Sequence, residues 1–174
     1  VIGGGDWSEE RIVPDFYRAT INNIPLEIRN PSAVRPWQHV ISACHAYLSV
    51  VTYLLRTINE RVFLPIWNVG PSDTNSVTVR KLVDSLLRIS TKPPEIVINE
   101  SKYVETSSLL LNSKKIENEL DFFSPWDIFK VVEETAFWYE ESLHKKVDAA
   151  DLMQLNFEEY LRDYESSRNT NSVF

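Results

Sequence analysis

Short apolar runs, scattered between longer stretches of helical periodicity, constrain the fold of this chain more than any other feature. The runs of strand type are only three or four residues long, and they do not alternate regularly with the helical stretches. A complete doubly wound sheet needs such regular alternation. The sequence therefore predicts a small α+β unit when the chain is taken by itself. The predicted strands are residues 26–29, 66–69, 95–98 and 109–111.

Four helices are predicted from apolar spacing and from residues that favour helix starts. One begins near Glu9, one spans 40–55, one is capped by Thr78, and one starts at Ser124-Pro125; a fifth, short helix is predicted after its cap at Asn112. In the helix at 40–55 one face is strongly apolar, so we expect it to point into the core. That face carries Val40, Cys44, Tyr47, Leu48, Val51 and Leu55.

The character of the chain changes near residue 147. Residues 1–146 have the mixed pattern described above, whereas residues 147–174 form an acidic tail whose charges we expect to be solvated. Phe157, Tyr160, Leu161 and Tyr164 recur at helical spacing in it. The sequence thus predicts two parts, 1–146 and a partly helical tail 147–174.

Composition excludes several classes of function. The 174 residues carry a formal net charge of −7, which disfavours a nucleic-acid partner. No apolar run approaches the ~20 residues that span a bilayer, so a membrane partner is not expected. The single cysteine, Cys44, suits a reducing cytoplasm and is expected to be inert core. His39, His45 and His144 share no metal-ligand spacing with it, so no metal site is predicted.

Three of the four glycines in the chain are Gly3, Gly4 and Gly5. A dinucleotide-binding loop would need a preceding strand and a third glycine, but Ser8 stands at that last position. Glu27, near the spacing of a ribose-binding acid, lies within its strand rather than at its end. We therefore predict no cofactor-binding residues here. A backbone bend beside a bound ligand is the favoured interpretation, and a plain surface turn is the alternative.

Three arginines lie close together in this acidic protein. Arg11 precedes a helix, Arg29 ends a short strand, and Arg35 follows the next turn. Guanidinium groups grip phosphate oxygens in pairs, so converging arginines suit a diphosphate. The alternative is a set of surface ion pairs with nearby acids, and spacing alone leaves both open. Those acids are Glu9, Glu10, Asp15 and Glu27.

Sequence motifs in this region resemble a known family. The motifs are Val-Ile-Gly-Gly-Gly-Asp-Trp at 1–7, Arg-Ile-Val-Pro-Asp at 11–15, Ile-Arg-Asn-Pro at 28–31, Arg-Pro-Trp-Gln-His-Val at 35–40 and Trp-Asn-Val-Gly-Pro at 67–71. They closely resemble the CDP-glucose 4,6-dehydratases, which are extended short-chain dehydrogenases/reductases. The likeness runs from residue 1 to about residue 141. Sister dehydratases for other nucleotides usually carry an acid where Pro36 stands.

This resemblance implies a substrate-binding role for seven residues and a supporting role for three. Arg11 and Ile12 correspond to the start of the helix that covers the nucleotide, and Arg35 to the arginine that holds the diphosphate. The other substrate-binding positions are Ile28, Arg29 and Asn30, around cytosine and ribose, and Glu105, in a loop near the nucleotide. The supporting positions are Trp37, His39 and Asn68. Val104 departs from the family pattern, which has a histidine there.

The resemblance also implies an NAD-dependent lyase as the parent enzyme. It would convert CDP-glucose to CDP-4-keto-6-deoxyglucose for bacterial surface polysaccharides such as the lipopolysaccharide O-antigen. This chain matches only the carboxyl-terminal, substrate-binding part of the Rossmann-type α/β protein, so we expect no catalytic residue and no bound NAD. The parent is expected to form homo-oligomers through its amino-terminal half. Two alternatives stay open: part of another sugar-nucleotide epimerase or dehydratase, and a non-catalytic binding relic.

Overall fold

The computed structural model describes residues 1–57, 59, 65–71, 75–99 and 106–171, and these form the mixed α+β unit that the sequence predicts. Short strands pair in two small sheets, and helices surround them. In chain order the elements are α1 (Ile12–Asn22), β1 (Leu26–Ile28), β2 (Val34–Pro36), α2 (Val40–Thr57), β3 (Ser76–Thr78), α3 (Val79–Ile89), β4 (Ile96–Ile98), α4 (Lys114–Leu120), α5 (Ile128–Glu140), a π-helical turn (Glu141–Lys145) and α6 (Ala149–Asn171).

Each sheet has two strands. β1 pairs in parallel with β4, with Leu26 opposite Ile96, and β2 pairs antiparallel with β3, with Arg35 opposite Val77. The sequence had predicted β1 and β4 to within a residue, but it missed β2 and β3. Residues 66–69, which were predicted to form a strand, lie in a described segment that pairs with no other strand of the described chain.

The main core lies between α1, α3, α5 and α6. The tryptophan expected to be core near the start of α5, Trp126, is 2% exposed, and Trp138 within α5 is 7% exposed. A smaller cluster of Ala46, Ile116 and Phe122 lies under α2 and α4, and the half-buried Trp67 packs against it. Burial of these large aromatic rings removes much apolar surface from water and so stabilises the fold.

α2 forms as predicted but presents a different face to the core. Tyr47, Leu48, Val51 and Leu55 are each more than half exposed, and Cys44, which was expected to be buried, is exposed as well. The buried side of α2 carries three small residues instead, which let the helix approach its neighbours closely. Those residues are Ser42, Ala43 and Ala46. Periodicity finds the apolar face of a helix, but it does not say whether the chain itself covers that face.

Two helix starts also differ from the prediction. α1 begins at Ile12 rather than near Glu9, because Glu10 has a left-handed φ of 61° and Arg11 is extended. α5 begins at Ile128, where the Asp127 side chain accepts a hydrogen bond of 2.9 Å from the backbone N–H of Lys130. The hydroxyl of Ser124, the predicted cap, lies 2.7 Å from the hydroxyl of Ser42 instead.

α6 packs its inner face against the main core. Leu152, Asn156 and Tyr160 are buried, and the Asn156 amide donates to Oε2 of Glu134 at 2.7 Å. The acids of this segment were all expected to be solvated, but this is wrong for Asp163. Its carboxylate accepts a hydrogen bond of 2.8 Å from Nε1 of Trp126. None of the helices in the described part of the chain is long and apolar enough to cross a membrane.

Candidate functional site

An open cleft of about 790 Å³ lies between the amino end of α1, the ends of β1 and β2, and the first turns of α2. Its volume falls in the range of small-molecule sites. We call it the arginine cleft, because the three arginines singled out in the sequence all line it. Six of the seven predicted substrate-binding residues lie in its wall, namely Arg11, Ile12, Ile28, Arg29, Asn30 and Arg35.

Arg11 stands at the mouth of the arginine cleft, immediately before α1. Its Nη1 donates to Oδ2 of Asp6 at 3.0 Å, and the backbone N–H of Ser8 donates to the other carboxylate oxygen at 3.0 Å. Burial opposes the charge on Asp6, but these hydrogen bonds outweigh it and lower the pKa of that carboxyl. Asp6 therefore stays ionised and holds Arg11 close to the loop.

Arg29 and Arg35 approach the cleft from consecutive segments. Arg29 follows the last residue of β1 and is largely exposed, with Nη2 3.8 Å from Oε1 of Glu10. Arg35 lies within β2, and its Nη1 donates to the carbonyl oxygens of Val34 and Thr106, both at 2.9 Å. The ion pair of Arg29 with Glu10 realises part of the surface-pair alternative, yet all three arginines are lining residues of one cleft.

Apolar and planar groups line the same cleft. Ile28 is buried, and Ile12, Asn30 and Trp37 are half-buried. The Trp37 ring is fixed because its Nε1 donates to the carbonyl oxygen of Val77 at 3.0 Å. These residues give the cleft a partly apolar wall beside its three arginines. It is chemically suited to a base or sugar joined to phosphate.

The three other predicted positions behave differently from one another. His39 is 1% exposed and is not a lining residue of the cleft, and its ring packs edge-on against Trp126 at 4.9 Å between centroids. Burial lowers the pKa of His39 to about 4, so it is neutral at physiological pH. Asn68 is exposed and is not among the lining residues. Glu105 lies outside the described residues.

The glycines at 3–5 pack against the protein's own side chains. A Cβ added to Gly4 would lie 2.0 Å from Cγ of Trp138, and one added to Gly3 would lie 2.6 Å from Cγ1 of Val40. Close packing against Trp138 and Val40 is therefore sufficient reason for glycine at these two positions, and the bend beside a bound ligand stays a prediction. A dinucleotide loop needs this space for a pyrophosphate. Because Trp138 and Val40 fill it, these residues do not fit NAD.

Sequence reasoning missed one acid of the cleft, Asp6, as a partner of its arginines. It named Glu10 only as one of several surface candidates and did not consider Asp6, which lies five residues before Arg11. The five-residue separation of Asp6 and Arg11 could have suggested their ion pair. The left-handed backbone at Glu10, in contrast, cannot be read from residue types. No cluster of potential metal ligands occurs among the residues that the structure describes.

Comparison with known proteins decides the family. No protein family profile matches the chain. A CDP-glucose 4,6-dehydratase from Salmonella typhimurium is 33% identical over 141 residues, which are 80% of this chain and 39% of that enzyme. The chain belongs to the extended short-chain dehydrogenase/reductase family. This confirms the resemblance carried by the motifs.

Solved members of this family share the fold. A dTDP-glucose 4,6-dehydratase from Bacillus anthracis, solved with NAD, is 22% identical with a TM-score of 0.58, over 80% of this chain and 42% of that one. A UDP-glucose 4-epimerase from Thermotoga maritima, solved with UDP-glucose, is 18% identical with a TM-score of 0.65, over 82% and 44%. The chain thus spans about two fifths of the length of these extended short-chain dehydrogenases/reductases and has the fold of their carboxyl-terminal part.

Proposed function

We propose that this chain is the substrate-holding portion of a CDP-glucose 4,6-dehydratase and that the arginine cleft binds CDP-glucose or a related CDP-sugar. The observation that carries this proposal is that Arg11, Arg29 and Arg35, from three separate segments, all line one cleft. A diphosphate offers several oxygens to such groups, and each charge-assisted hydrogen bond is stronger than a neutral one.

The cytidine half is the more specific part of the proposal. Ile28, Asn30 and Trp37 provide the apolar and planar wall next to the arginines. The 33% identity to a CDP-glucose 4,6-dehydratase, and the motifs around Pro36, support cytosine over other bases. We place Glu105 near the nucleotide by resemblance alone, and Trp37, His39 and Asn68 in supporting positions.

In this proposal the chain contributes binding energy rather than chemistry. Holding the nucleotide far from the reacting carbons orients the sugar, and remote contacts of this kind raise the rate of a distant step. NAD would supply the hydride chemistry in the parent enzyme, but the residues described here do not fit it. Burial also raises the pKa values of Tyr17 and Tyr139, so neither phenol is suited to act as a base. We expect no turnover of CDP-glucose by this chain alone.

Calorimetric titration of CDP into the purified chain and two arginine variants tests the proposal. Arg35→Ala and Arg29→Ala should each weaken CDP binding by about tenfold or more, since each removes a charge-assisted contact. Arg29→Ala guards against a folding artefact, because the Arg29 side chain is largely exposed. Arg88→Ala, on α3 away from the cleft, is the matched control and should bind like the unaltered chain. Equal affinity in all four proteins would contradict the proposal.

A UDP-sugar epimerase part is the second candidate. The observation in its favour is the TM-score, which is higher for the Thermotoga maritima epimerase than for the Bacillus anthracis dehydratase. Competition between CDP, UDP and dTDP at equal concentration separates the two. Preference for CDP supports the dehydratase assignment, whereas preference for UDP favours the epimerase.

A further inference from the structure

Glu10 combines an unusual backbone with an unusual side-chain position. Its φ of 61° lies in the left-handed region, which residues other than glycine rarely adopt because it strains the backbone. Its side chain lines the arginine cleft, and its carboxylate Oε1 lies 3.8 Å from Nη2 of Arg29. Strained backbone that directs a charged group into a cleft suggests that the charge has a role there.

The loop that carries Glu10 is fixed from inside the protein. Arg18 donates to the carbonyl oxygen of Trp7 at 2.7 Å and to that of Ser8 at 2.9 Å. The hydroxyl of Tyr139 donates to the carbonyl oxygen of Asp6. The loop backbone is thus anchored at three successive residues, while the Glu10 side chain is 78% exposed. Its carboxylate is free to move at the mouth of the cleft although its backbone is held.

Glu10 differs from Asp6 and Asp15, two other acids of the cleft, in how firmly it is bound. Asp6 is held by both Arg11 and the Ser8 backbone, and Asp15 pairs with Arg18, which is not a lining residue. The distance between Nη2 of Arg29 and Oε1 of Glu10 is long, at 3.8 Å, and both side chains are largely exposed. Exposed pairs of this kind contribute little to stability, because water and salt screen them. A ligand phosphate can therefore displace the Glu10 carboxylate.

We propose that Glu10 is an internal anion that competes with the ligand for Arg29. This inference rests on the proposed function, because it takes the ligand to be a nucleoside diphosphate in the arginine cleft. While the cleft holds no nucleotide, the carboxylate neutralises Arg29. A diphosphate displaces it because its oxygens can make charge-assisted hydrogen bonds that a carboxylate at 3.8 Å does not make.

The consequence is an affinity penalty that depends on the charge of the ligand. A diphosphate gains more from Arg29 than the weak ion pair loses, whereas an uncharged nucleoside gains nothing there. Glu10 therefore lowers the affinity for every phosphorylated ligand by a modest factor and leaves the affinity for an uncharged nucleoside unchanged. Screening by salt should reduce the effect, because both Glu10 and Arg29 are exposed.

The test measures the affinity of the full chain for CDP by calorimetry, in about 50 mM and about 500 mM sodium chloride. Glu10→Gln keeps the shape of the side chain and removes its charge, and Glu10→Asn also relieves the left-handed backbone. Glu9→Gln is the matched control, since Glu9 is exposed and next in the chain but is not a lining residue. Cytidine, which carries no phosphate, is the control ligand.

We expect both Glu10 variants to bind CDP about three- to fivefold more tightly than the unaltered chain at low salt. The gain should shrink at high salt and be absent for cytidine, and Glu9→Gln should show less than half of it. Unchanged or weaker CDP binding by both Glu10 variants, with normal binding by the unaltered chain, overturns this inference alone. Absence of CDP binding by all of the proteins overturns the proposed function and this inference together.

Discussion

At the scale of single residues, Gly4 marks a place where the fold leaves no room for a side chain. The Trp138 ring occupies the position that a Cβ would take, only 2.0 Å from Cγ. We predict that Gly4→Ala lowers the free energy of unfolding by about 3 kcal/mol, the upper end of the usual cost of overpacking. Urea denaturation measures it. Gly5→Asn is the control, because asparagine tolerates the φ of 79° at that position and its Cβ would meet Trp138 at 3.5 Å. Equal losses for the two variants would contradict this packing.

His39 predicts a specific dependence of stability on pH. Its pKa is about 4 in the folded chain and about 6.5 when unfolded, so between these values the unfolded chain binds a proton that the folded chain does not. Stability therefore falls as the pH drops from about 6.5 towards about 4. Between about pH 8 and about pH 5.5 we expect His39 to account for a loss of about 1 kcal/mol.

Urea denaturation of the unaltered chain and of His39→Gln at these two pH values isolates the contribution of His39. The difference in unfolding free energy between the two proteins should shrink at the lower pH. His144→Gln is the control, because that side chain is 37% exposed. If His39→Gln lost stability with acidification as steeply as the unaltered chain does, the buried neutral imidazole would be ruled out.

At the scale of elements, α2 and α3 show what helical periodicity can and cannot predict. Both helices were predicted from an apolar stripe. In α3 the stripe is buried, with Leu82, Val83 and Leu86 each at most 1% exposed, whereas in α2 Leu48 and Leu55 are among the exposed residues. The patterns are alike, and the outcomes differ because burial depends on whether another part of the chain reaches that face.

The orientation of α2 leads to a direct prediction. Leu55 is 71% exposed, so Leu55→Gln should change the free energy of unfolding by no more than about 0.5 kcal/mol. Leu82→Ala on α3, where the side chain is 1% exposed, should cost about 2–5 kcal/mol. Chemical denaturation of both variants compares them. A large loss for Leu55→Gln would mean that the apolar face of α2 is buried after all.

At the scale of the whole molecule, the sequence predicted the α+β class, and it singled out three arginines, Arg11, Arg29 and Arg35, that all line one cleft, because family motifs and short spacings were both available. It could not predict the pairing of β2 with β3. Residues 34–36 lack an apolar strand pattern, and their pairing depends on a partner about 40 residues away. Nor could it predict the position of Glu10, which results from a backbone turn rather than from residue type.

The central claim, that guanidinium groups from three segments hold one diphosphate, can be tested directly by NMR. CDP-glucose would be titrated into the ¹⁵N-labelled chain while backbone amide and arginine Nε–H resonances are followed. We predict that the largest shifts map to Arg11, Arg29, Asn30 and Arg35. Shifts confined to the open groove between α2 and α4, around Thr52 and Asn118, would contradict the claim, as would the absence of any shift at the three arginines.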